Sequence, residues 1–347
     1  MVNRREFLQA TATAGIAMAA ADLVHAAPSA AVPTKVQIPE AEKIVITVIT
    51  DNLSDANRVD DKIAKRPTFN TDPLELVFHG EHGLSYHIEA TVDGRPHCCI
   101  YDFGSDARGI LRNLDLLKLD LSKVEALCLS HDHFDHEAAI VEVLRAKRNE
   151  FTKGIPFYVG EQFFAGTYKL WQGGKIAAQN RLPKAELEGL GLVKITDVKG
   201  PTQVIPGVYL PGKIEMVTEY EKLNPTYLAK KGNEYVQETF PGEQAVIMNV
   251  KGKGLVVLSG CAHRGIVNTL KQAQRMTGIN KVHAVMGGCH LVNAKPEQIL
   301  KTVADIKAIN PDYFIGTHCT GFEAMTAFAR EMPDKFILNT AGTKYVI

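Results

Sequence analysis

Residues 131 to 136 read His-Asp-His-Phe-Asp-His, so His131, Asp132, His133, Asp135 and His136 crowd into six positions. Imidazole nitrogen and carboxylate oxygen suit zinc, with manganese or iron(II) as the alternatives. A lone histidine is usually structural, but three histidines and two aspartates in one short stretch are hard to explain without a cation. If the chain is still extended, His131 and His133 point the same way while Asp132 and Phe134 point away. Asp135 and His136 then fall on the following turn and can face a second ion. The stretch reads as one part of a site for one or two ions.

The elements around it must aim those groups. VEALCLS (residues 124 to 130) reads as a strand that ends at the motif, and EAAIVEVLRAK (137 to 147) as the helix that follows. KIVITVIT, LELVF, SYHIEATV and CCIYDFG read as earlier strands, with a turn at Asp93-Gly94, and residues 107 to 119 as a helix. FYVG, LVKITDV and TQVIPGVYL are later strands. In the second half QAVIMNV and GLVVLSG read as a hairpin. After them come helix GIVNTLKQAQRM, strand KVHAVMGG, helix PEQILKTVADIKAIN, strand DYFIGTH, helix GFEAMTAFAREM and a last strand KFILN. The class is α/β, and a sandwich of two mixed sheets flanked by helices fits, with sites at the strand ends. Residues 211 to 243 are polar, aromatic-bearing and weakly periodic, which points to a binding loop or lid.

The 347 residues are 45% hydrophobic, enough for one large core, read as a single domain over residues 41 to 347. Lys+Arg and Asp+Glu are both 39, so nothing global steers the chain to nucleic acid and a small-molecule substrate is expected. Arg4-Arg5, the apolar run from Thr11 to Val24 and the small-residue stretch Val24-His25-Ala26 look like a twin-arginine signal peptide over residues 1 to 26. A linker is expected over residues 27 to 40. The apolar run is too short to span ~30 Å of hydrocarbon comfortably. The expectation is therefore a partner in the twin-arginine export machinery, a periplasmic location and no stable membrane span after processing. The six cysteines (98, 99, 128, 261, 289 and 319) form no CxxC pair and read mostly as buried thiols.

The HxHxDH spacing resembles the metallo-β-lactamase superfamily. EHGLSYHIE, NLDLLKLDLSKVEALCLSHDHFDH, GEQAVI, SGCAHRGIVN, GGCHL and HCTG together resemble its 7,8-dihydropterin synthase-like subgroup. The resemblance implies the αββα fold and roles for further residues. Asp102 in IYDFGSD would orient a ligand histidine. Cys261 would stand where many members carry a bridging aspartate, as a thiolate ligand. His263, two residues on, would be a ligand or a proton donor, His318 the last metal histidine, and His290 a substrate-facing general acid. The superfamily usually has one more histidine before the strand-end position of Cys261. The stretch TFPGEQAVIMN has none, which leaves Glu243 or His263 to replace it.

The leading expectation is a metal-dependent hydrolase. It would use water activated by one or two zinc ions on a small phosphoester, ester or lactone, with Asp135 as ligand or base and His290 or His263 protonating the leaving oxygen. The alternatives are the condensation that makes 7,8-dihydropterin-6-methyl-4-(β-D-ribofuranosyl)-aminobenzene 5′-phosphate, with Lys213, Lys230 and Lys231 as phosphate-binding candidates, and a non-catalytic metal-binding periplasmic protein. A redox di-iron relative would need Glu where His133 stands, and no flavin-binding segment follows.

Overall fold

Side chains alternate along the strands, and that alternation sorts the core into three layers. In Ala245–Val250, Val246, Met248 and Val250 face one apolar cluster while Ile247 faces another. In Lys43–Thr50, Ile44, Ile46 and Val48 face the same shared cluster, and Ile49 faces a third. The shared cluster is the seam between two sheets. The outer clusters lie under helices: Ala107–Leu117, Ile140–Ala146 and Lys184–Gly189 on one side, Ile266–Thr277, Pro296–Ile309 and Phe322–Glu331 on the other. This is the α/β/β/α sandwich. It is seen in a computed structural model that describes residues 35–68, 77–179 and 182–347. The described residues make one compact unit.

One sheet has eight strands and runs from Val193–Val198 through Ile155–Gly160, Val124–Cys128, Arg95–Tyr101, Ser85–Val92 and Lys43–Thr50 to the short Lys344–Val346 and Ala64–Lys65. The other has seven, with Gly254–Ser259, Val282–Gly288 and Tyr313–Thr317 adjacent and parallel. Arg95–Tyr101 and Val124–Cys128 are likewise parallel. Parallel neighbours end on the same edge, so within each sheet the segments that follow these strands emerge together, and His136–Cys261 and His131–His263 contacts join the two sets. Those segments carry Asp102, the 131 to 136 motif, Cys261 with His263, His290, and His318 with Cys319.

The structure departs from the sequence expectations at several places. Residues 211 to 243 do not form a plain loop. Tyr227–Lys231 and Glu234–Gln237 make a hairpin that joins Thr167–Leu170 and Ile176–Ala178 in a third sheet of four strands. The rest of the segment is stitched down. Glu221 accepts from the backbone of Val267 and Asn268, both at 2.9 Å, and Asn268 Oδ1 accepts from Val217 N at 2.8 Å. Arg264 donates to the carbonyls of Ile214 and Thr239. The linker expected to run to residue 40 ends sooner. Val36 N donates to Met276 O (2.8 Å), Ile38 is buried, and Glu40–Ala41 pairs with Asn249 and Val250. KFILN is not a strand. Phe336 makes one isolated bridge to Phe314, and the chain closes instead with Lys344–Val346 against Lys43–Thr50. TQVIPGVYL is a two-strand hairpin, Thr202–Ile205 with Val208–Leu210. Of LELVF only Val77 and Phe78 are described, and neither is in a strand; the signal peptide expected over residues 1 to 26 lies outside the described residues. All six cysteines are buried and free.

Candidate metal centre

Strand Val124–Cys128 delivers the motif, and its histidines are held from behind. Asp102 is fully buried and accepts from Ser130 N (2.7 Å), Ser130 Oγ (2.8 Å) and His136 Nδ1 (2.7 Å). Ser130 Oγ spends its hydrogen on Asp102, so at His131 Nδ1 (2.9 Å) it accepts. His318 Nδ1 donates to Asn52 Oδ1 (2.9 Å). In all three rings an oxygen holds the Nδ1 proton and so turns Nε2 inward. This is the arrangement that histidine ligands require.

The inward-facing atoms gather into groups. His131, His133 and His263 form one, and Asp135, His136, Cys261 and His318 another, each with ligand atoms within 4.8 Å of one another. Nε2 of His131 and Nε2 of His263 are 3.2 Å apart, and His136 Nε2 is 3.1 Å from Cys261 Sγ. Tetrahedral zinc with nitrogens at about 2.0–2.1 Å sets two ligand nitrogens about 3.3 Å apart. Nε2 of His133 is buried with no hydrogen-bond partner, an orphan that a cation would satisfy. The residues present therefore fit a metal site. Burial holds His133 neutral by pushing its pKa down to about 3, and burial with the neighbouring imidazoles does the same to His131 and His263.

The second group is charged. Burial alone would depress His136, but Asp102 and Asp135 outweigh it and hold its proton to about 9. Asp135 Oδ2 lies 3.1 Å from His318 Nε2, 3.4 Å from His82 Nε2 and 3.7 Å from His136 Nε2. Burial works against the Asp135 anion, yet His136 and His318 pull its carboxyl well below the usual range. A carboxylate so held is a poor base and a good anionic ligand.

Glu243 and His263 take different places. Both Glu243 oxygens accept from backbone, Oε1 from His263 N (2.5 Å) and Oε2 from Arg264 N (2.8 Å), so Glu243 shapes the turn that presents His263. Burial, resisted by those two amides, raises the Glu243 carboxyl to about 7. His263 is in the group with His131 and His133, and Glu243 is not. Asp132 points away from both groups and accepts from Thr167 Oγ1 (2.9 Å). His290 stands beside the first group, its ring 4.0 Å from that of His263, with Nδ1 buried and unpartnered.

No model of a protein family matches the chain. It is 32% identical over 271 residues to the 7,8-dihydropterin-6-methyl-4-(β-D-ribofuranosyl)-aminobenzene-5′-phosphate synthase of Methanocaldococcus jannaschii, covering 76% of this chain and 90% of that protein. The chain belongs to the family of this synthase. A solved structure of a metal-dependent hydrolase of the β-lactamase superfamily matches with a TM-score of 0.66 at 23% identity, over 87% of this chain and 98% of that one. The fold is thus the metallo-β-lactamase fold.

Within this fold the third sheet supplies groups that sequence reasoning missed. Tyr227 stacks on His133 (4.9 Å, 29°), and Phe240 on His263 (4.2 Å, 3°). Lys169, the cross-strand partner of Tyr227, places Nζ 5.1 Å from the Tyr227 ring and 4.7 Å from that of Trp171. Lys230 lines a small cavity of about 60 Å³ beside His131, and it is exposed, as Lys213 and Lys231 are. His82 stacks on His318 at 4.7 Å with its side chain 59% exposed, at the mouth of the site. His82 lies inside the EHGLSYHIE motif, which was the available signal; Lys169 and Tyr227 carried none, because their strands are too short for a pattern.

Proposed function

We propose that the chain is a metal-dependent enzyme that hydrolyses a small phosphoester, ester or lactone. The reading rests on one observation: imidazoles anchored through Nδ1 present Nε2 to two adjacent ligand groups that share one edge of the fold. A divalent ion held there, zinc by the donor set with manganese or iron(II) as alternatives, would act as a Lewis acid on the electrophilic centre and activate water. The chain's own residues do the rest. His131, His133 and His263 form one ligand set; Asp135, His136, Cys261 and His318 form the other. Asp102 keeps His136 in the right tautomer and orientation. His290, whose ring stands 4.0 Å from that of His263, would hand a proton to the leaving oxygen. Tyr227 and Phe240 exclude water from the first group, and Lys169 offers an ammonium to an anionic substrate near it.

The family of the Methanocaldococcus relative favours a second reading, the condensation that its name describes. Lys169 and Lys230 would then receive phosphate groups of the two reactants. Export through the twin-arginine pathway, and with it a periplasmic site of action, is our proposal from residues 1 to 26 alone.

The test is His133→Ala together with turnover assays. The variant is expected to lose bound metal and activity together, and an active, metal-free variant would overturn the reading. Wild-type protein is assayed on a phosphodiester, a lactone and an ester. It is then assayed on a dihydropterin diphosphate with a ribosyl-aminobenzene phosphate. Product from the last pair alone establishes the condensation; no turnover in any assay leaves a binding protein.

A further inference from the structure

Cys261 belongs to two groups at once. Besides its place with Asp135, His136 and His318, its thiol lies within 4.8 Å of ligand atoms of His290 and Cys319, and these three form a separate cluster. Two sulfurs and one imidazole make a softer donor set than the all-histidine group or the mixed group beside it. Soft sulfur ligands select thiophilic ions such as copper(I) and cadmium(II), and zinc accepts them too.

The cluster is built rather than incidental. Cys319 is buried, its sulfur accepting from His290 N at 3.3 Å and touching the Cys261 carbonyl oxygen at 3.5 Å. Gly288 makes the room. A Cβ there would stand 2.6 Å from Cys319 Sγ, 2.4 Å from Gly260 O and 3.2 Å from Cys261 Cα. A separate observation points to a ligand: His290 Nδ1 is buried without a hydrogen-bond partner. His290 also holds a left-handed backbone (φ 46°), as does His318 (φ 52°) just before Cys319. Such conformations are strained for a non-glycine residue and persist where the surroundings enforce them.

We propose that Cys261, His290 and Cys319 form a third coordination site, selective for thiophilic ions, that competes with the Asp135–His136–His318 position for the Cys261 thiolate. An ion bound there through Cys261 would leave the mixed group with three protein ligands instead of four. The identity of the bound ion would then govern which set of residues is filled.

Because the site borrows Cys261 from the metal centre proposed above, the test must separate the two. Metal-free, reduced protein is titrated with cadmium(II) while the ultraviolet thiolate-to-cadmium charge-transfer band is followed. The wild type is expected to show the band of two thiolates, and Cys319→Ser about half of it. Cys289→Ser, which loses a buried thiol outside the cluster, should keep the full band. The double variant His131→Ala/His133→Ala should also keep it, even though the first ligand group is gone. Cadmium NMR of the unmutated protein counts sulfur ligands directly and does not depend on Cys319→Ser folding. A wild-type signal with one sulfur, or a full band in Cys319→Ser, would overturn the third site while leaving the proposed metal centre standing. Loss of the band in the His131→Ala/His133→Ala protein would show that the cluster is no separate site and would overturn the proposal as well.

Discussion

Asp102 gives the sharpest test of how the fold prepares the metal centre. Its Oδ2 takes hydrogens from two groups, Ser130 Oγ at 2.8 Å and His136 Nδ1 at 2.7 Å, while Oδ1 takes Ser130 N at 2.7 Å. Asp102→Asn keeps the shape and Oδ1 but puts an NH2 group where both donors point. Each lost hydrogen bond to a charged acceptor is worth about 1.5–3 kcal/mol, so a stability loss of a few kcal/mol is expected. The effect on metal is separate. Without the carboxylate, only the longer contact to Ser130 Oγ (3.3 Å) remains at His136 Nδ1, and Nε2 is held less firmly toward Cys261 and Asp135. Loss of an outer-shell partner weakens metal binding about 10–100-fold, which is about 1.4–2.8 kcal/mol. Competition against a chelator reads that affinity directly, and urea unfolding of the metal-free protein reads the stability term alone. Ser130→Ala leaves the Asp102–His136 contact intact and removes instead the oxygen behind His131 Nδ1, so its affinity loss should fall on the first ligand group. An Asp102→Asn protein that binds metal within threefold of wild type would refute the reasoning, since it would mean that His136 needs no carboxylate behind it.

Further outcomes follow from the same geometry. Glu243→Ala strands the buried amides of His263 and Arg264, each costing about 1–3 kcal/mol. It should therefore lower both the urea midpoint and the metal content; unchanged metal content would show that His263 does not depend on Glu243. His87, on Ser85–Val92 and in neither ligand group, is pushed down to about 4 by burial, with Lys344 adding to the effect, against about 6.5 in an unfolded chain. The unfolded chain thus binds the proton first, so this contribution is intact above pH 6.5 and is lost as pH falls toward 4. The stability difference between wild type and His87→Leu should change by on the order of 3 kcal/mol between pH 7 and pH 4, measured by urea unfolding, and a constant difference would contradict the buried neutral imidazole.

The parts of the fold that were legible in the sequence share a physical cause. Strands such as Ala245–Val250 and Gly254–Ser259 are buried on both faces, and their continuous apolar runs announce them. The His131 to His136 motif was legible because its donors are adjacent in sequence. The third sheet was not, because Glu234–Gln237 is exposed throughout and Thr167–Leu170 is only half buried, so no apolar alternation marks either strand. Lys335 to Asn339 misled for the opposite reason. Its apolar residues pack into the core from an irregular segment, with Ile337 fully buried, and hydrophobicity alone does not distinguish that from a strand. Glu243 was ambiguous because one buried carboxylate can bind an ion or cap a turn, and only its backbone partners decide between the two. Cys319 was hidden for a related reason: nothing in HCTG says that its sulfur shares a cluster with that of Cys261, 58 residues earlier.

The backbone at the strand ends says how these side chains come to converge. Asp102, Ala262, His290 and His318 all have left-handed φ between 46° and 62°, and each lies within three residues of the end of a strand. A residue there reverses the chain sharply and turns its own or its neighbour's side chain back over the sheet edge, where a regular extension would carry it into solvent. Non-glycine residues resist this conformation, so what enforces it must be the packed strands on either side and the hydrogen bonds behind the rings. Those supports are made entirely of protein groups: Asp102, Ser130, Asn52 and Glu243, with the sheet seam beneath them. The ligand geometry is therefore paid for by folding, and an arriving ion has little ordering left to do. It follows that substitutions in the seam, such as a smaller residue at Leu258 or Met286, should weaken metal binding by loosening these strand ends, although neither side chain comes near the ion. Chelator competition on Leu258→Ala would reveal this as an affinity loss beyond what its fraction unfolded explains, and an affinity that tracks the folded fraction alone would locate the preorganisation in the loops instead.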